Sequence, residues 1–188
     1  MQRYFGAGTL LVLLGMVCVR ALLMRTQGIR AIKFGEIDKK DFLIPPFAFF
    51  YFYLVFAAAF NLPTVSRQEF FQSGIVSWLG VVLCLAGVTL LFLSLVSFGK
   101  SFRVGIDKDE PDKLVTSGVF AFSRNPIYVA FAFVLLGEFL VYTNWILLVY
   151  VVSAVWLFQR QVLREEAYLR DHYGQQYIEY CERVRRYL

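Results

Sequence analysis

The sequence predicts an all-α, polytopic integral membrane protein of about five membrane helices, the last two a tight helical hairpin, with an amphipathic helix closing the chain. Three observations carry this expectation. Apolar residues come in long unbroken runs, not at the periods of 3.6 or 2 that mark half-buried soluble elements. Several runs approach the roughly 20 residues that a helix needs to cross a hydrocarbon core. Lys and Arg gather in alternate connections between the runs. A chain that is 59% hydrophobic also exceeds a soluble domain, which is about half apolar.

The first run, Phe5 to Met24, is interrupted only by Arg20. No small-residue cleavage site stands out and more spans follow, so it reads as a membrane helix, not a signal peptide. A connection bearing Arg25, Arg30, Lys33, Lys39 and Lys40 leads to a second span, Phe42 to Leu62. Its Pro45 and Pro46 fall in the first turn, where the missing N–H costs little. The link Pro63 to Ser73 is sparsely charged, and the third span is Gly74 to Phe98.

The loop Gly99 to Arg124 is rich in Lys and Arg. Pro126 to Thr143 and Asn144 to Phe158 follow with almost nothing between them. At about 1.5 Å per residue the second of these reaches only about 22 Å. A hairpin that dips deep or just crosses fits this length, with Tyr142, Thr143 and Asn144 at its polar tip. The basic first loop, third loop and tail all fall on one face, so the N-terminus is expected outside and the tail in the cytosol. In the tail, Gln159 to Leu188, residues Val162, Leu169, Tyr173, Tyr177, Tyr180, Val184 and Leu188 form one stripe of an amphipathic helix.

Cys18 and Cys84 lie inside apolar runs and Cys181 near the end of the chain. No CxxC or Cys/His spacing exists and His172 stands alone, so neither a disulfide framework nor a metal site is expected. Nothing resembles a glycine-rich nucleotide loop. No nucleic-acid partner is expected.

Polar chemistry concentrates in three places: Ser101 to Asp107, Lys113 to Gly118 running into Arg124-Asn125-Pro126-Ile127-Tyr128, and Arg164-Glu165-Glu166 with His172 beyond it. Read singly, each has a plain explanation. Asn125-Pro126 is an N-cap followed by proline at the first helical position. Arg124 is a positive flank, Glu165-Glu166 the solvated first turn of a helix, and His172 structural. Glu138, an acid within a membrane segment, is a functional suspect or reaches water at the hairpin tip.

Read together they say more. The order Leu114-Val115-Thr116-Ser117-Gly118, then Arg124-Asn125-Pro126-x-Tyr128, then Glu165-Glu166, then Tyr173-Gly174-x-x-Tyr177-x-x-Tyr180-x-x-x-Val184 resembles the isoprenylcysteine carboxyl methyltransferase family. That family belongs to a wider group that includes phospholipid N-methyltransferases. The match covers roughly Phe98 to Tyr187, about half the chain.

The resemblance implies S-adenosylmethionine as methyl donor, with S-adenosylhomocysteine as product. It implies as acceptor a prenylated C-terminal cysteine carboxylate entering from the bilayer. It implies a cofactor site of Lys113, Leu114, Val115, Phe120, Asn125, Pro126, Ile127 and Tyr128, closed from the tail helix by Glu165 and Glu166. Charge and hydrogen-bonding capacity add further expectations: Arg124 or Arg160 holds the acceptor carboxylate through paired N–H donors, and Glu165 or Glu166 attracts the donor's ammonium or a ribose hydroxyl, so Arg124 and Glu166 are the catalytic candidates and Arg160 the acceptor contact. One domain is then expected over 1–188, with 99–188 as the catalytic core and a cytosolic cofactor pocket. The membrane is the plasma membrane or the endoplasmic reticulum, depending on the organism.

One residue departs from the family pattern: Asn125 stands where the family has His. Asn donates and accepts hydrogen bonds but takes no proton near neutrality. A carboxylate acceptor, with a pKa near 3.5, is already an anion and needs no base. Alignment of donor and acceptor is then the main task. An aminophospholipid acceptor would first have to lose a proton, so Asn125 tilts toward the carboxylate. The alternatives are that phospholipid N-methyltransferase, a membrane sterol-type reductase, and a non-catalytic membrane protein.

Overall fold

A computed structural model of the chain describes residues 1–26, 44–62, 71, 73–98 and 114–188. The elements are α1 (Gln2–Thr26), α2 (Ile44–Ala59), α3 (Gly74–Phe98), α4 (Pro126–Tyr142), α5 (Trp145–Tyr173) and α6 (Gln175–Arg183), with a 3-10 turn at Gly118–Ala121 before α4. No strand occurs among the described residues. The all-helical expectation holds. Helices α1, α3 and α5 are long and apolar enough to cross a membrane, while the apolar stretches Pro46–Ala59 in α2 and Pro126–Tyr142 in α4 are shorter. Large apolar side chains such as Phe49, Ile75, Val149 and Trp156 stay on the outside of the bundle. In water that surface would be a liability; against lipid tails it is unremarkable.

The closest pair is α3 with α4, which run antiparallel. A Cβ added at Gly80 would lie 2.6 Å from the Gly137 carbonyl oxygen, and one at Gly87 would lie 2.8 Å from that of Ala130. Small residues let the backbones approach, which matters because lipid provides no hydrophobic drive for helices to associate. Between them the Cys84 thiol donates to the Val134 carbonyl at 3.8 Å.

The hairpin tip lies where the sequence places it. Thr143 ends α4 in a left-handed conformation at φ 40°, and Asn144 caps α5 by accepting from the Ile146 N–H at 2.7 Å. Both residues are buried, because Tyr142 donates to the Arg3 carbonyl and Thr143 to that of Phe71. Glu138 does not reach water: it is fully buried, and among the described residues neither of its carboxylate oxygens has a hydrogen-bond partner. The cause is α1, whose Gly6 leaves no room for a Cβ beside Glu138 and Tyr142.

Two boundaries differ from expectation. The second span is shorter than Phe42 to Leu62: α2 ends at Ala59, and residues 42–43 lie outside the described residues. The fifth apolar segment does not stop at Phe158 but continues through the tail as one helix of 29 residues. Apolar side chains give way to polar ones at Gln159 while the backbone goes on satisfying its own hydrogen bonds, so the polarity change marks no break. The tail is consequently not one helix either. Gly174 at φ 52° ends α5 and starts α6, a conformation that suits glycine.

Candidate active site

The C-terminal half of α5 and the start of α4 meet the last residues of the chain, and the end of α3 meets the 3-10 turn that leads to them. A bend at Gly118, with φ 63°, sets the 3-10 turn against Ser97 of α3, where the Val119 N–H reaches Ser97 Oγ at 3.4 Å. Phe120 is buried edge-on to Phe98 with centroids 4.5 Å apart, and its carbonyl accepts from the Tyr180 hydroxyl at 2.6 Å. The turn thereby delivers Arg124 and Asn125 to the entrance of α4.

Helix α5 meets this entrance with two adjoining faces. Gln159, Val162 and Glu166 recur at helical spacing on one face. Val162 and Glu166 are buried, and Gln159 accepts from the Tyr187 hydroxyl. Phe158, Gln161 and Glu165 form the next face: the Phe158 ring packs on Tyr128 at 5.6 Å, and Gln161 Nε2 donates to Glu165 Oε1 at 3.1 Å.

Glu166 is held on both oxygens. Asn125 Nδ2 donates to Oε1 at 3.3 Å and Arg124 Nη2 stands 3.5 Å from the same atom. Arg186 takes Oε2 through Nε at 3.0 Å and Nη2 at 2.8 Å. That hydrogen bond raises the Arg186 guanidinium above its ordinary value and keeps it charged. Glu165 is engaged differently: the Tyr128 hydroxyl donates to Oε1 at 2.6 Å. Gln161 Nε2 donates to the same oxygen.

Asn125 sits directly ahead of α4 with Pro126 at the first helical position, as a cap would. Its side chain makes no cap hydrogen bond. The amide is spent instead on Glu166 and on the Arg186 carbonyl, 3.1 Å away, while its own N–H goes to Ser123 Oγ at 3.2 Å. Glu165 and Glu166 likewise are not a solvated first turn, since they lie well inside α5.

The structure thus joins Arg124, Asn125, Tyr128, Glu165 and Glu166. Pro126 is buried beside them, and Ile127 packs against Leu91, Leu95 and Ala130. Leu114 and Val115 are half-buried outside any helix, and Arg160 is half-buried on α5 ahead of the Glu pair. Lys113 and the stretch Ser101 to Asp107 lie outside the described residues. His172 is exposed, stacked on Tyr168 at 5.7 Å and edge-on to Tyr173. Among the described residues no cluster of three His, Cys, Asp or Glu side chains is placed to hold a metal.

Residues that sequence reasoning passed over complete the site. Arg186 grips Glu166, the Arg185 carbonyl accepts from the Arg124 N–H at 2.9 Å, and Arg124 donates to the Cys181 sulfur. An amphipathic helix running to the end of the chain would have pointed these arginines at water. Instead α6 stops at Arg183, and Val184 is extended.

The model of the phospholipid methyltransferase family matches residues 75–176, more than half of the chain. The chain belongs to that family. Its relatives include protein-S-isoprenylcysteine O-methyltransferase B of Arabidopsis thaliana, 32% identical over 112 residues, covering 58% of this chain and 57% of that one. The Rattus norvegicus protein-S-isoprenylcysteine O-methyltransferase is 30% identical over 128 residues, covering 66% and 45%. The chain spans about half the length of these curated relatives. They bear out the resemblance to the isoprenylcysteine carboxyl methyltransferases. A solved structure of a eukaryotic intramembrane Ras methyltransferase, an isoprenylcysteine carboxyl methyltransferase, superposes with a TM-score of 0.63 at 19% identity. It covers 94% of this chain and 63% of that one, a likeness of fold. With the candidate spans, it makes this chain an integral membrane protein.

Proposed function

We propose that this chain is an S-adenosylmethionine-dependent methyltransferase that esterifies the C-terminal carboxylate of a prenylated cysteine. One observation carries the reading. Two motifs about forty residues apart close on each other as a pair of carboxylate contacts, Tyr128 with Glu165 and Asn125 with Glu166. They do so at the end of an apolar bundle, where a soluble donor and a lipid-borne acceptor can meet. The names of the relatives support the same reading.

The residues present fit the donor. Glu165 is a carboxylate whose hydrogen bonds from Tyr128 and Gln161 both fall on Oε1, and Leu114 to Thr116 lie outside any helix with backbone groups to offer. When bound, S-adenosylmethionine supplies an electrophilic methyl group on a sulfonium. Glu165 would hold its ammonium or a ribose hydroxyl, and Leu114, Val115, Phe120 and Asn125 to Tyr128 would wall the pocket, with Lys113 completing it.

On the acceptor side, Arg124 and Arg186 both stand on the carboxylate of Glu166, at 3.5 and 2.8 Å. Arg124 Nε is buried with no hydrogen-bond partner among the described residues. Arg124 and Arg160 position the acceptor carboxylate; a tighter grip would quench its nucleophilicity. No proton has to be removed, so Asn125 in place of His leaves the reaction open.

In this reading residues 99–188 are the catalytic core of a single domain, the site faces the cytosol and the N-terminus faces outward. Aminophospholipid N-methylation is the second reading, favoured by the family model. The deciding experiment is transfer of labelled methyl groups to N-acetyl-S-farnesylcysteine, with aminophospholipid in parallel. Base-labile label on the prenylcysteine is expected. Label on the phospholipid alone would transfer the proposal to the amine, and label on neither would end it.

A further inference from the structure

We propose that Arg186 is a positioning residue of this site, acting through Glu166 to orient the α5 carboxylates for the methyl donor. The inference rests on the donor reading above and adds to it the C-terminal segment, which none of the motif residues includes.

The segment is tied to the site at three points. The Arg186 side chain binds Glu166 Oε2 through two N–H groups at 3.0 and 2.8 Å. Its backbone carbonyl accepts from Asn125 at 3.1 Å, and the carbonyl of Arg185 accepts from the Arg124 N–H at 2.9 Å. The same residues therefore brace the α4 entrance and α5 at once.

Both Glu166 oxygens are engaged, so this side chain acts as a post. Glu165, one residue earlier, lies about 100° away around the helix. Fixing Glu166 fixes the azimuth at which Glu165 presents its carboxylate. Without Arg186, the remaining charge partner of Glu166 is Arg124 at 3.5 Å, a longer and single contact. The two-pronged grip also explains arginine over lysine, whose ammonium is a point charge without a planar fork. The Arg186 side chain is 37% exposed against 5% for Glu166, so it covers the carboxylate from the solvent side, where salt reaches it.

The test compares the full chain with Arg186→Ala and Arg186→Lys in detergent, reading S-adenosylhomocysteine affinity by calorimetry, donor and acceptor KM, and thermal unfolding. Arg186→Ala is expected to weaken S-adenosylhomocysteine binding and raise donor KM roughly tenfold, the usual worth of a charge-assisted hydrogen bond. Acceptor KM should barely move, and Arg186→Lys should recover part of the donor affinity. Donor affinity in the wild type should also fall with added salt more than in Arg186→Ala. Unchanged donor affinity in Arg186→Ala overturns the inference. So does an equal loss for donor and acceptor that tracks a lowered melting temperature and that lysine does not rescue, since that pattern is structural. Failure of the wild type to bind S-adenosylhomocysteine removes the donor reading itself and the inference with it, a result distinct from either.

Discussion

The Tyr128 hydroxyl donates to Glu165 Oε1 at 2.6 Å, linking the first turn of α4 to the middle of α5. The contact falls on one oxygen of Glu165 while the Tyr128 ring packs on Phe158. Hydroxyl and ring thus have separable roles.

Tyr128→Phe isolates the hydroxyl. Ring packing survives, so unfolding should shift by no more than about 1 kcal/mol, the net worth of one hydrogen bond. Donor KM should rise several-fold more than acceptor KM. Initial rates with each substrate varied would check this, and an equal change in both would refute the assigned role.

Asn125→His restores the residue that the family pattern carries. If the acceptor is a carboxylate, no base is required, and kcat for the prenylcysteine should gain no step near the imidazole pKa of about 6.5. A new step there would mean that proton removal limits turnover, pointing to an amine acceptor. Asn125→Ala, in contrast, removes the donations to Glu166 and to the Arg186 carbonyl and should lower activity in either case.

Gly137→Ala tests the α3–α4 seam. The new Cβ would meet the Gly80 carbonyl oxygen at 2.7 Å and Cys84 Sγ at 2.6 Å. Backbone has to yield, so a loss of about 1–3 kcal/mol is expected, measured by thermal unfolding in detergent. Gly8→Ala, where nothing lies within 4 Å, is the control and should be near neutral.

The tail clasp should fail in alkali. Burial pushes Tyr180 from its ordinary value of 10.0 up to about 12, against the opposing pull of Arg124, and burial raises Tyr177 as well. A folded pKa above the unfolded one means stability that is complete below pH 10 and is lost as the pH climbs toward 12. Tyrosinate absorbance and unfolding followed together should show flat stability to about pH 10 and a coupled loss above it. Tyr180→Phe removes the group and should flatten that loss.

Much of the fold was legible in the residues. Membrane class, the placement of α1 and α3, the hairpin tip at Thr143-Asn144 and the family pattern all follow from apolar run length, turn chemistry and motif order, which are local properties. Hydrophobicity alone also marks which runs are apolar enough to span. It did not mark where α5 ends, because helical hydrogen bonds are indifferent to side-chain polarity and the helix continued until Gly174.

Only the tertiary structure decided which groups face one another. Asn125 reads as a helix cap, yet its amide serves Glu166 and the Arg186 carbonyl. Arg186 reads as one more solvated cation on a helix face, yet it closes the site because α6 stops at Arg183 and the chain turns extended. Periodicity specifies which face of an element is apolar, whereas a hydrogen bond across the bundle depends on how separate elements are placed relative to one another. The sequence by itself determined the membrane bundle and the motifs, and packing determined the clasp that brings them together.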